Sequence, residues 1–111
     1  MPPPKVLVTS YRRMEGRGAV IPQGVAKDDV EAVKWFRKAA EQNDVKGQFN
    51  LGAYYANGRG VAEDHIEAYK WMLLAAGQGL EQAKNIVTIW SGAMSPGQIA
   101  DGKRRANDWL E

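Results

Sequence analysis

The sequence contains no cysteine and one histidine, His65. Without cysteine the chain has no disulfide bond, no thiolate nucleophile and no cysteine-ligated zinc. With one histidine, a histidine-rich metal site is excluded, and a catalytic triad would depend on His65 alone. His65 lies beside Glu63 and Asp64, with no nucleophile apparent near it. We therefore expect a surface histidine, no catalytic residue, no cofactor and no bound metal.

Long apolar runs are also missing. None approaches the roughly 18 residues of a membrane span, and the stretch from Val6 to Val8 is too short for a signal-peptide core. We therefore expect a soluble protein. Its compartment is open: the cytoplasm is favoured, and the periplasm or secretion would fit a chain from which a targeting segment had been removed.

Charge of one sign is not concentrated over the chain, whose 111 residues carry a formal net charge of +2. This length predicts one small domain. Nucleic-acid-binding proteins usually gather lysine and arginine on one face. Because this chain shows no such concentration, nucleic-acid binding is an alternative function rather than the main one. It would use two short basic clusters if they converged on one surface. These are Arg12, Arg13 and Arg17, and Lys103, Arg104 and Arg105.

One segment of the chain is repeated. A shift of about 36 residues lays QGVAKDDVEAVKWFRKAAEQ over RGVAEDHIEAYKWMLLAAGQ, with about half of the positions identical. Trp35 meets Trp71, and the other matches also fall at helical intervals. Self-similarity at this spacing is typical of stacked helical hairpins. It predicts duplication of one structural unit.

Apolar residues recur at three- and four-residue steps, which predicts helices. We expect them from Asp28 to about Asn43, over VKGQFNLGAYYAN, from an N-cap at Asp64 to Gly77 or Gly79, over EQAKNIVTIWSGAM, and after Ser95. Ser95 and Gln98 have the spacing of a capping box. Trp35 and Trp71 fall on the inner face of equivalent helices, so we expect both in the core.

Two glycines one residue apart, Gly58 and Gly60, occur in NGRGVAED. Such a loop before a helix can hold a phosphate, or it can turn the chain through conformations that glycine adopts easily. An altered copy, PQGVAKDD, precedes the other helix, and the Gly-Lys-Ser/Thr ending of a phosphate loop is absent. The turn is favoured. Gly52, inside a helix, predicts close approach of a neighbour.

The run QFNLGAYYANGRGVAEDHIEAYKWMLLAAGQG resembles a Sel-one-like repeat, a solenoid relative of the tetratricopeptide repeat. The matching residues are Leu51, Gly52, Tyr55, Gly58, Gly60, Val61, Asp64, Ala68, Trp71, Ala75, Ala76 and Gly79. In the first copy, Pro22 replaces the first glycine and Asn43 the closing one. Gly97 and Gly102 depart from the pattern and suggest a softened terminal helix.

The resemblance implies an all-α fold, a right-handed α-α superhelix of helical hairpins. It covers about residues 22–110. We expect an irregular or degenerate N-terminal segment at 1–21 and a repeat domain at 22–111, with copies at about 22–43 and 45–79 and a C-terminal helical pair at 80–110.

The resemblance also implies a non-enzymatic scaffold that binds a protein or peptide in a concave groove. By analogy, the groove residues are Lys46, Phe49, Asn50, Ala53, Asn57, Gln82, Asn85, Ile86 and Ile89. Simple solvation of a polar face is the alternative. A short array leaves open ends, so we expect self-association, as a homodimer, through the N-terminal segment or an open end. A hydrolase is a third hypothesis, disfavoured by the shortage of histidine, cysteine and clustered carboxylates.

Overall fold

The computed structural model describes residues 26–110. In this part the chain forms five helices and no strand, which confirms the all-α prediction. They are α1 (Ala26–Glu41), α2 (Val45–Asn57), α3 (His65–Gly77), α4 (Glu81–Ala93) and α5 (Pro96–Leu110). The expectations for residues 1–21, Pro22 and the first basic cluster fall outside the described residues.

Helix α3 is central to the packing. It packs against α2, α4 and α5, and α2 also packs against α1. The largest fully buried hydrophobic side chains come from α2, α3 and α4: Leu51, Tyr54, Tyr69, Met72 and Trp90. Small residues between them, such as Ala68 and Ala75, are fully buried and allow the helix axes to come close. Successive hairpins therefore share one continuous core.

The predicted caps are confirmed. The Asp64 carboxylate accepts hydrogen bonds from the backbone N–H groups of Ile66 and Glu67, at 3.1 and 3.0 Å. At the start of α5, the Gln98 N–H donates to Ser95 Oγ at 3.2 Å, and Gln98 Oε1 accepts from the Ser95 N–H at 3.0 Å. Both arrangements satisfy N–H groups that a helix cannot satisfy internally.

The first described helix extends further than predicted. α1 already includes Ala26, whereas the sequence pattern placed its start at Asp28. Asp28 and Asp29 lie in its first turn, where carboxylates interact favourably with the positive end of the helix dipole.

Within residues 26–110, four residues at the turns have positive φ. They are Asn43, at 70°, and Gly58, Gly60 and Gly79, at 65°, 69° and 98°. The two glycines of NGRGVAED therefore turn the chain as predicted, and Asn43 takes the left-handed conformation in place of the closing glycine of the first copy.

Gly102 has a packing role that the sequence did not predict. It is buried where α5 packs against α3, and softening of the terminal helix stays a prediction. A Cβ added there would lie 2.6 Å from Tyr69 Cδ2, so the glycine allows the two helices to approach closely. Gly52 has the packing reason that was predicted, because a Cβ there would lie 3.1 Å from the Ala68 carbonyl oxygen.

The two equivalent tryptophans differ, which contradicts the expectation that both are in the core. Trp71 is 2% exposed, whereas Trp35 is 63% exposed. Trp109 of α5 packs against Trp71, with ring centroids 5.1 Å apart and planes at 64°. α3 has α5 packed on it, whereas α2 is the main packing partner of α1 among the described helices. Equivalence in the repeat therefore does not give equivalent burial.

Candidate partner-binding face

The glycine loop between α2 and α3 packs against α1. Arg59 makes a bidentate pair with Asp29, with Nε at 3.1 Å and Nη2 at 2.9 Å from the two carboxylate oxygens. A Cβ at Gly60 would lie 2.3 Å from the Asp29 carbonyl oxygen. Because protein backbone fills the space beside Gly60, the loop is a structural turn and holds α1 in register.

The α2 part of the predicted face is largely covered. Lys46, near the start of α2, is exposed, and Phe49, Asn50 and Asn57 are half-buried. Ala53 is 0% exposed. Its side chain is part of the core and cannot contact a partner, so Ala53 is removed from the candidate face.

The α4 part of the predicted face is open. Gln82 and Asn85 are exposed, Ile86 is half-buried against the core, and Ile89 is 56% exposed. Ala83 and Trp90, each about 100° around the axis from Gln82 and Ile89, anchor the helix in the core. Helix α4 is therefore amphipathic, with alanine and tryptophan facing the core and amide side chains facing solvent.

The exposed side of α4 combines amide and aliphatic side chains. Amide side chains offer both donors and acceptors, and Ile89 offers apolar surface. A peptide backbone has the complementary groups, so it can be held by amides while one of its side chains packs on the isoleucine. We call the face of Gln82, Asn85, Ile86 and Ile89 the α4 face.

His65 is the first residue of α3. Its Nε2 is 2.5 Å from Glu63 Oε2, and its side chain is 17% exposed, less than the solvated histidine that was expected. Its partner is a carboxylate and not a hydroxyl group that it could activate. Over residues 26–110, no group of three or more histidine, cysteine, aspartate or glutamate side chains is placed to hold a metal ion.

The C-terminal basic cluster is partly neutralised. Arg104 forms an ion pair with Asp101, and Arg105 lies 3.5 Å from Asp101 and 3.6 Å from Glu67. Lys103 is exposed. The acidic partners reduce the positive potential that a nucleic acid would meet. Arg12, Arg13 and Arg17 lie outside the described residues, so convergence of the two clusters stays a prediction.

A buried amide cluster escaped the sequence analysis. Gln48 is 0% exposed, and its Oε1 accepts from Gln78 Nε2 at 2.9 Å. Gln78 also donates to the Asn43 carbonyl oxygen, at 3.0 Å, and thus links the turns after α1 and α3. The repeat pairs Gln42 with Gln78, which indicated that this position matters. The role of Gln48 could not be predicted, because it depends on which turn packs beside it.

A cavity of about 360 Å³ lies between the end of α3 and α5. Leu73, Leu74 and Leu110 give it an apolar lining, and Gln78 and Lys103 add polar groups. Leu110 is 68% exposed at its rim. The sequence could not predict this cavity, because it depends on how α5 crosses α3.

The family model described as Sel1 repeat matches residues 11–44 and 45–80, together more than half of the chain. The first match starts at residue 11, whereas the repeat domain was predicted from residue 22, so the domain division stays a prediction. No curated protein matches the sequence. Among the helices of residues 26–110, none has the length and apolar character needed to cross a membrane.

Proposed function

We propose a function from the premise that the chain belongs to the Sel1 repeat family, whose repeats generally mediate protein interactions. It is a non-enzymatic module that binds a protein or peptide segment on the α4 face. The observation that supports the proposal is Ile89, a large aliphatic side chain that is 56% exposed among amides.

The chemistry of the neighbouring residues defines the partner. Gln82 and Asn85 are exposed one turn apart on α4, so an extended peptide lying along the helix would meet both amides. Lys46, exposed on α2, adds a positive charge. The partner segment is therefore expected to carry an apolar side chain for Ile89 and an acidic residue for Lys46.

Selection from a displayed peptide library against the wild-type chain tests this proposal. We expect the selected peptides to bind the Ile89→Asp variant at least about tenfold more weakly, because a carboxylate would replace the apolar contact. The matched control is Lys84→Ala, an exposed position on the same helix, roughly 140° around the axis from Ile89. The affinity of the selected peptides for this control variant should change less than about twofold.

Both variants change exposed side chains, so both should fold, which circular dichroism checks. Peptides that bind Ile89→Asp as tightly as the wild type would contradict the proposal. Equal loss in both variants would contradict it too, because the loss would not be specific to the α4 face.

We also propose that the chain associates with itself through its open end, where Leu110 is exposed beside the cavity between α3 and α5. Light scattering over a concentration series should show the wild-type mass rising toward that of a dimer. Leu110→Asp should stay monomeric, and Ile89→Asp should behave as the wild type. A wild-type mass that stays at one chain, or equal association of the Leu110 variant, would refute this interface.

A further inference from the structure

Two helices carry nearly the same five-residue pattern. α1 contains EAVKW at residues 31–35, and α3 contains EAYKW at residues 67–71. On α3 the glutamate, lysine and tryptophan of the pattern contact α5, whereas on α1 these three residues are exposed and the two between them are buried. The occupied copy therefore shows what chemistry the exposed copy can bind.

On α3, three side chains of the pattern contact α5. The Trp71 ring meets the Trp109 ring edge-on, at 5.1 Å between centroids. Lys70 Nζ lies 4.3 Å from the Trp71 centroid and 5.5 Å from that of Trp109. Glu67 forms an ion pair with Arg105 at 3.6 Å. The pattern thus holds a helix through an arginine and an aromatic residue four positions later.

On α1, the same three side chains point to solvent. Glu31 and Lys34 are exposed, and Trp35 is 63% exposed. Lys38 Nζ lies 5.1 Å from the Trp35 ring centroid, so a cation already covers part of one ring face. Tryptophan is enriched among the residues at interface centres that contribute most to affinity.

We propose that the face of Glu31, Lys34 and Trp35, which we call the α1 face, docks an amphipathic helix from a separate partner protein. The docked helix carries an arginine that pairs with Glu31 and, four residues later, an aromatic residue that packs on Trp35 and Lys34. This occupant is favoured by the charge of Glu31 and by the α5 contacts on the matching residues of α3. The chain's own α5 is already packed on α3.

One difference between the copies allows a selective probe. Gly102 of α5 meets Tyr69, and a Cβ there would lie 2.6 Å from Tyr69 Cδ2. The equivalent residue on α1 is Val33, which is buried and has no aromatic ring to meet the added methyl group. A peptide of residues 95–110 with Gly97→Ala and Gly102→Ala is therefore hindered from replacing α5 on α3, and it also has higher helix propensity.

Fluorescence anisotropy of this labelled peptide with the full chain tests the proposal. We expect saturable binding that weakens at least about tenfold in Trp35→Ala, with Lys84→Ala unchanged. Glu31→Arg should also weaken binding, and a peptide with Arg105→Glu should restore it, because the charge pair is reversed. Ile89→Asp should leave this binding unchanged, which separates the result from the test of the α4 face.

Absence of peptide binding, or equal binding to the wild type and Trp35→Ala, would overturn the proposal. Acrylamide quenching of the exposed Trp35 in the chain alone tests two other occupants. Protection that grows with protein concentration would assign the face to a second copy. Protection at every concentration would assign it to the chain's own residues. Either result would overturn docking of a separate partner, whereas full accessibility until peptide is added supports it.

Discussion

Replacing Gly60 with alanine is expected to lower the free energy of unfolding by at least about 3 kcal/mol. Gly60 has a φ of 69°, which costs an alanine about 1 kcal/mol or more. The added Cβ would also lie 2.3 Å from the Asp29 carbonyl oxygen and 2.4 Å from its carbon. Both are backbone atoms of α1, so relief requires the loop to move and the pair between Arg59 and Asp29 to separate.

Gly79→Ala is the matched control for Gly60→Ala. Gly79 also has a positive φ, of 98°, but nothing lies within 4 Å of an added Cβ. It should cost about 1–2 kcal/mol, from backbone strain alone. Urea unfolding of the three proteins measures the difference. Equal losses in the two variants would show that the loop does not pack against α1.

Trp71→Ala is expected to destabilise the chain by about 3–5 kcal/mol, the usual cost of truncating a buried tryptophan. Trp35→Ala is expected to change stability by less than about 0.5 kcal/mol, as for other exposed positions. The two residues occupy the same place in the repeat, so the pair isolates the effect of environment. Only Trp71 contacts Trp109 and is 2% exposed.

Urea unfolding followed by far-ultraviolet circular dichroism measures both tryptophan variants without relying on the fluorescence that the substitutions remove. A loss of several kcal/mol for Trp35→Ala would contradict the exposed position of Trp35. A small effect for Trp71→Ala would contradict the packing of α5 on α3.

Local features of the fold were predictable from the sequence because each rests on neighbouring residues. The spacing of apolar residues predicted the helices. Asp64 and Ser95 predicted two helix starts, and the two glycines of NGRGVAED predicted the turn. Each of these features depends on hydrogen bonds or backbone angles within a few residues. The repeat itself identified the family and hence the all-α architecture.

Features that depend on which helix packs on which were not predictable. Trp35 and Trp71 are equivalent in sequence, yet α5 lies on α3 and buries one of them. Gly102 appeared unfavourable for a helix, but it is needed where α5 meets Tyr69. Equivalent positions in the two copies have different neighbours, so the repeat alone cannot predict their burial.

The candidate partner-binding face was also predictable only in part. Analogy with tetratricopeptide repeats placed Gln82, Asn85, Ile86 and Ile89 on one side of α4, and all but Ile86 are exposed. The same argument placed Ala53 on an accessible side of α2, where it is fully buried. The position of a residue around its own helix follows from the sequence, whereas the accessibility of that side depends on tertiary packing.

The α4 face is tested most directly by nuclear magnetic resonance of the full chain titrated with a library-selected peptide. Binding at this face predicts that the Ile89 methyl signals and the side-chain amide signals of Gln82 and Asn85 shift in proportion to the bound fraction. The backbone amide of Lys38 on α1 should stay in place. A bound peptide that leaves the Ile89, Gln82 and Asn85 signals unchanged would contradict the proposed function.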